Sequence, residues 1–272
     1  MYDENEYKYF AKEGKVYRLH VELDDMPCNP REEYDGNIGT MFCSHRRYTL
    51  GDETDYSDVE GMKHAILSEL KISMARIRRY VKSGKTNLDL KFNRSSREWE
   101  IGGTYSTGTR EKKYGLIDSS HEVEQLDDTL IDWVSVKDIE AVSGGELVVL
   151  PLYLYDHSGL TMNTTGFYCP WDSGQVGYIW TTMKRIKEGR PEKRTKKEWR
   201  DLALTILRGE VEVYDQYLRG DCYGYIEEKL RPDGEWEELI SCWGYYSAKD
   251  PLTEIAAELY GDAALNELPE TA

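Results

Sequence analysis

The chain has 272 residues, of which 39% are hydrophobic, 32% charged and 12% aromatic, a composition that excludes a disordered or fibrous protein and leaves room for one large domain or two small ones. Its formal net charge of −16 opposes the polyanionic backbone of nucleic acid, so no direct duplex DNA binding is expected at physiological salt. The longest apolar run, Leu147 to Tyr155, is broken by Pro151 and falls far short of the roughly 18 residues a membrane span needs.

The start, Met1 to Glu6, is acidic and lacks the basic and apolar regions of a signal peptide, which predicts a cytoplasmic location. Lys15 to Leu23 alternates Val16, Leu19, Val21 and Leu23 imperfectly and reads as a strand. Ser57-x-x-Glu60 has the form of a capping box, and Val59, Met62, Ile66, Leu70, Met74, Ile77 and Val81 then recur at helical spacing up to Gly84. One helix is predicted over that whole stretch. Leu88–Phe92 and Trp99–Tyr105 suggest a hairpin, and Ser119-x-x-Glu122 suggests a helix through Val123, Leu126 and Leu130. Gly102-Gly103 and Gly144-Gly145 read as turns. Leu147–Tyr155 reads as a buried strand in which Pro151 marks a bulge or an edge.

Thr195-x-x-Glu198 is a second capping box, opening a helix through Trp199, Leu202, Ile206, Leu207, Tyr214 and Leu218 that Gly209 weakens in its middle and Gly220 ends. Cys222–Glu228 and Glu237–Tyr245 flank the turn Arg231-Pro232-Asp233-Gly234 as a hairpin. A last helix is marked by Asp250 at its cap, Pro251 at its first position and Gly261 beyond its end. There is no regular strand–helix alternation and no internal repeat, so the expected fold class is α+β: a single compact domain with a mainly antiparallel sheet and several packed helices. Residues 188–192 are the one place where that domain could subdivide.

Five scattered cysteines without a Cys-x-x-Cys pair point to free thiols, and no metal is expected. No phosphate-cradling glycine signature is present, so no cofactor is expected either. Charge is unevenly spread. Residues 1–60 hold 15 acidic and 7 basic side chains and residues 209–272 hold 16 and 4, whereas residues 184–200 hold 9 basic and 3 acidic. That basic stretch is the one place where phosphate could be held.

Two segments are dense in small, polar and aromatic residues: Asn37 to Asp52, with His45, Arg46 and Arg47, and Tyr155 to Tyr178, which contains Tyr155-Asp156-His157-Ser158-Gly159 and Cys169-Pro170-Trp171-Asp172-Ser173-Gly174-Gln175-Val176-Gly177-Tyr178. Together with Tyr214-Asp215-Gln216-Tyr217 and Ser241-Cys242-Trp243-Gly244, they resemble an uncharacterised family of proteins encoded by bacteriophages and other mobile elements. The resemblance implies an origin and brings no established activity.

His157, Asp156 and Asp172 are the candidate catalytic groups, since histidine exchanges protons near neutral pH and a carboxylate can orient it. Asp156 and His157 could equally serve only to hydrogen-bond the loop backbone. A metal set of Cys43, His45, His157 and Cys169 has suitable donors without diagnostic spacing. The surplus of tyrosine over phenylalanine, 21 to 4, with seven tryptophans suits a recognition surface, though tyrosines edging a sheet would give the same count. The leading expectation is an accessory protein that binds a basic, nucleic-acid-binding host protein and blocks it by presenting carboxylates in place of phosphates, as an inhibitor of a host defence nuclease would. Its expected contact residues are Glu227, Glu228, Glu237, Glu238, Tyr155, Trp171, Gln175, His45 and Arg46. An enzyme with a pocket around His157 and Asp172 is the first alternative, and a structural scaffold of the mobile element is the second.

Overall fold

The computed structural model describes residues 7–107, 109–246 and 250–261, with side chains 104–114 outside the description; the acidic start Met1–Glu6 also lies outside it. In chain order the first elements are β1 (Lys8–Lys12), β2 (Lys15–Leu23), α1 (Pro30–Glu33), β3 (Thr40–Cys43), α2 (Val59–Glu69), α3 (Met74–Lys82), β4 (Leu88–Asn93), β5 (Glu98–Thr107) and β6 (Thr109–Ser120). Then come α4 (Asp127–Trp133), α5 (Val136–Ser143), β7 (Leu147–Asp156), β8 (Leu160–Asn163), β9 (Ser173–Thr182) and α6 (Met183–Lys187). The chain closes with α7 (Lys196–Arg219), β10 (Cys222–Leu230), β11 (Trp236–Tyr246) and α8 (Pro251–Tyr260). The class is α+β with mainly antiparallel sheets.

The chain divides into two compact units, the first formed by Met1–Asn37, Tyr153–Gly174 and Gly209–Ala272, the second by Ile38–Leu152 and Gln175–Arg208. Residues 188–192 fall inside the second unit and are not its boundary. No helix among the described residues is long and apolar enough to cross a membrane.

In the first unit the sheet runs β1-β2-β10-β11, with Leu19 opposite Glu227 and Val21 opposite Tyr225. Alternation puts Phe10, Leu19, Val21, Tyr223 and Tyr225 on one face, where α8 covers them with Leu252, Ile255 and Ala256. Asp250 caps α8 by accepting from the Thr253 amide, with Pro251 in the first turn, as its sequence signature predicts. The β10–β11 turn also forms where expected, closed by the Gly234 amide on Arg231 O at a φ of 88°. Cys222 is fully buried here, and burial, helped by Asp24, pushes its thiol up to about 11. Cys28 and Cys242 are exposed. At pH 8, iodoacetamide footprinting should therefore modify Cys28 and Cys242 first and Cys222 only on unfolding; early labelling of native Cys222 would contradict this packing.

The core of the second unit is built from Met62, Ile66, Ile77, Val81, Ile101, Leu130, Ile139 and Leu147, among others. The single helix expected from Val59 to Val81 is two, α2 and α3, separated by a break in which Lys71 adopts a φ of 52°. Ile72 stays buried within that break, so the apolar period reads straight through it. The cap is Asp58, whose carboxylate accepts from the Gly61 amide at 2.8 Å, and Ser57 is not the capping residue. Ser119 likewise opens no helix: β6 continues to Ser120, Val123–Leu126 is a 3-10 turn, and α4 starts only at Asp127. The sequence reading also passed over α5, which carries a Ser135/Asp138 capping box and ends at Gly144 in the left-handed region, φ 71°.

Two further features shape the functional segments. The Thr195/Glu198 capping box forms, and hydrogen bonds from Thr195 hold the Glu198 carboxyl below its usual range; α7 then continues unbroken through Gly209 for 24 residues. On its β8 side Pro151 has no ladder partner, because the pairing with β8 begins only at Tyr153.

Candidate functional site

Both residue-dense segments contain short strands that local periodicity does not reveal. Asn37–Asp52 contributes β3, which pairs with β9 so that Phe42 faces Tyr178 and Cys43 faces Gly177. The end of the second segment thus meets the first through backbone hydrogen bonds, extended by the Ser44 amide on Val176 O at 2.8 Å. Asp52 closes the first segment on itself, its carboxylate accepting from the Met41 amide and its own amide donating to Met41 O.

The remainder, Tyr153–Gly174, is a loop of the first unit built on a small hairpin. Tyr153–Asp156 pairs with Leu160–Asn163, and the tip is fixed by the His157 amide on Gly159 O and the Ser158 hydroxyl on His157 O. The Asp215 carboxylate, on α7, anchors β8 by accepting from the Met162 amide at 2.7 Å and is itself bridged by Arg219; burial raises its pKa. Beyond β8, the Asn163 side chain accepts from the amides of Thr165 and Gly166, an Asx turn that sends the chain back. Phe167 packs against Tyr155 at 5.5 Å.

The return leg is tied down at Asp172. Its carbonyl accepts from the Asp156 amide at 2.8 Å, and its carboxylate lies 3.4 Å from His157 Nδ1 and 3.5 Å from Cys169 Sγ. Ser173 closes the turn by donating to Cys169 O. His157 and Cys169 therefore converge on the Asp172 carboxylate, while Asp156 joins through its backbone. The pair stands on the surface, with the His157 side chain 63% exposed and that of Asp172 37%. That geometry can orient a proton-exchanging imidazole, and it also clamps the two ends of the loop together.

Between Phe167 and Asp172 the loop presents two aromatics to solvent: Tyr168 at 108% and Trp171 at 90% relative exposure. Sequence reasoning picked out Trp171 and missed Tyr168, because residue type alone does not reveal which side of a turn faces outward. Among the described residues no group of three or more His, Cys, Asp or Glu side chains is placed to hold a metal ion.

No family model, curated protein or solved structure matches this chain.

Charge is segregated between the units. The first holds 28 acidic and 9 basic side chains, a net −19, and the second holds 23 and 26, a net +3. Of the expected acidic contacts in the first unit, Glu237 and Glu238 are exposed on β11 and Glu227 is half-buried. Glu228 is already engaged: it takes a forked ion pair from Arg18 at 2.5 and 3.0 Å, and Arg18 lies between the rings of Tyr7 and Trp236. Tyr155 and Trp171 lie on the Tyr153–Gly174 loop of the same unit, and His45, Arg46 and Gln175 lie in the second unit. His45 stacks on Tyr48 with ring centroids 5.1 Å apart and its Nδ1 accepts from the Arg47 amide, Arg46 is exposed, and Gln175 donates to Gly177 O.

Proposed function

We propose that this protein works by binding a basic macromolecular partner through its acidic unit, with Trp171 and Tyr168 as the anchoring side chains. The observation that carries the reading is the full exposure of both rings on a loop clamped by hydrogen bonds at Asp172, Ser173 and Asn163. Exposed aromatics on a mobile tail would cost entropy to dock; on a clamped loop most of that ordering has already occurred in the free protein. Trp and Tyr are the residues that most often dominate binding energy when a partner buries them. The −19 charge of the same unit supplies long-range attraction to a cationic groove of the kind that holds nucleic acid. Acting in the host cytoplasm as a mobile-element inhibitor of a nucleic-acid-binding defence protein is the role that joins these features to the sequence resemblance.

Immobilised protein exposed to host lysate tests it. A retained basic protein should bind about 100-fold less tightly to the Trp171→Ala/Tyr168→Ala variant, whose circular dichroism should be unchanged because neither ring is packed. Glu237→Lys/Glu238→Lys should slow association, and rising salt should slow it for the wild type. A reaction centred on the His157–Asp172 pair would give the reverse pattern, with turnover abolished by His157→Ala and kept by the aromatic double variant. Equal retention by wild type and the aromatic variant would sink the binding reading.

A further inference from the structure

The basic stretch 184–200 has a place in the fold that the binding role of the acidic unit does not use. In the second unit it frames a cavity of about 280 Å³, lined by Lys187 from α6 and by Lys196, Lys197 and Arg200 from the first turns of α7. Trp199 and Met183, both buried, form its apolar floor. One wall is the Gly144-Gly145 pair, both in the left-handed region and without side chains to fill the space.

Three of the four arginines of this stretch have carboxylates to answer them, Arg185 with Glu69, Arg194 with Glu192 and Arg200 with Glu140 at 2.7 Å, and the fourth, Arg190, donates to Ile186 O. Among the described residues the ammonium groups of Lys187, Lys196 and Lys197 have no such partner. Three cations without a salt-bridge partner around one cavity, against the single carboxylate of Glu146 on its lining, concentrate positive potential locally in a chain of net charge −16. Screening cuts the influence of distant carboxylates beyond about 8 Å at physiological ionic strength, so the local cluster governs what enters. The start of α7 adds to it. Thr195 caps the Glu198 amide, which leaves the amides of Lys196 and Lys197 without an intrahelical acceptor at the positive end of a 24-residue helix. Glu146 is the one carboxylate on the lining.

We infer that this cavity binds a phosphate monoester carried on a small hydroxyl-bearing body with a flat or apolar part, as in a nucleoside monophosphate. The phosphate lies among Lys187, Lys196 and Lys197, the apolar part over Trp199 and Met183, and a hydroxyl against Glu146. Its volume is at the low end for small-molecule sites, which fits one such unit. The monoester can come free or as the 5′ end of a nucleic acid, and the two are separable by experiment.

Isothermal titration of the full chain at about 0.15 M salt with AMP and UMP should show one saturable site per chain, with adenosine and uridine weaker by about tenfold or more. Lys196→Glu/Lys197→Glu should weaken AMP by a similar factor or abolish it. That variant keeps its helix, because acidic residues suit the first turn, and circular dichroism checks it. A short single strand with a 5′ phosphate that binds more tightly than AMP, and loses this on dephosphorylation, assigns the source to a nucleic-acid end; tighter AMP binding assigns it to a free metabolite. The inference is overturned if neither nucleotide nor phosphorylated strand saturates, if nucleosides bind as well as their phosphates, or if the charge reversal changes nothing. Trp171→Ala should leave this site untouched, so its failure is distinguishable from failure of the partner-binding role.

Discussion

Replacing Gly177 by alanine should destabilise the protein by about 3 kcal/mol or more, while Gly174→Ala, three residues earlier, should stay within about 0.5 kcal/mol of wild type. A Cβ on Gly177 would lie 1.9 Å from Phe42 O and 2.9 Å from the Phe42 carbonyl carbon. These are backbone atoms of the paired strand β3, so no rotamer change relieves the contact and the β3–β9 pairing must open. A Cβ on Gly174 would meet nothing within 4 Å. Denaturation midpoints of the two variants, compared at equal slope, decide the matter; equal midpoints would show that β9 shifts freely. The glycine in this segment is thus explained by packing alone, and no ligand has to be invoked for it.

The same contrast separates what was legible in the sequence from what was not. Elements announced by local chemistry came out where they were expected: the Arg231–Gly234 turn, the Thr195/Glu198 box and the Asp250-Pro251 start each satisfy their own backbone groups within a few residues. β3 did not, being a four-residue strand whose existence depends on β9, about 140 residues along the chain, and β8, equally short, is held by β7 across a hairpin whose four residues carry too little periodicity to announce it. The break between α2 and α3 was hidden for a related reason, since Ile72 keeps the apolar rhythm while leaving the helix.

At the candidate site, the convergence of His157, Cys169 and Asp172 was readable because a hairpin returns the chain over a short distance. The commitment of Glu228 to Arg18 was not, because it follows from the register of β10 on β2, strands some 200 residues apart. Net charge pointed toward a cationic partner, but its concentration in one unit appears only once the fold assigns residues to units. Asp215 shows the same limit: the sequence offers it only as part of a string shared with a family, and its carboxylate holds β8.

Glu210→Ala should be the most damaging single loss of a charge in the acidic unit, at about 3–5 kcal/mol. Glu210 on α7 faces Arg31 of α1 at 2.8 Å, and their side chains are only 11% and 1% exposed. Arg31 also donates to Asn37 Oδ1 at 3.1 Å, and the Asn37 amide in turn donates to Pro30 O and Tyr34 O. Removing the carboxylate leaves the guanidinium desolvated against a diminished set of acceptors, and the energy of a buried ion pair lies mostly in that asymmetry. Replacing both partners by apolar residues, Arg31→Met with Glu210→Leu, removes the need for compensation. The double variant should therefore be clearly more stable than Glu210→Ala, and its cost should fall below the sum of the single changes by about 1–3 kcal/mol. Glu237→Ala, on the exposed face of β11, is the matched control and should shift the midpoint little, since a solvated carboxylate loses no buried partner. Additive single and double effects would mean that the Arg31–Glu210 contact carries no coupling energy, and the anchoring of α1 on α7 would then have to rest on Asn37 and the packing around it.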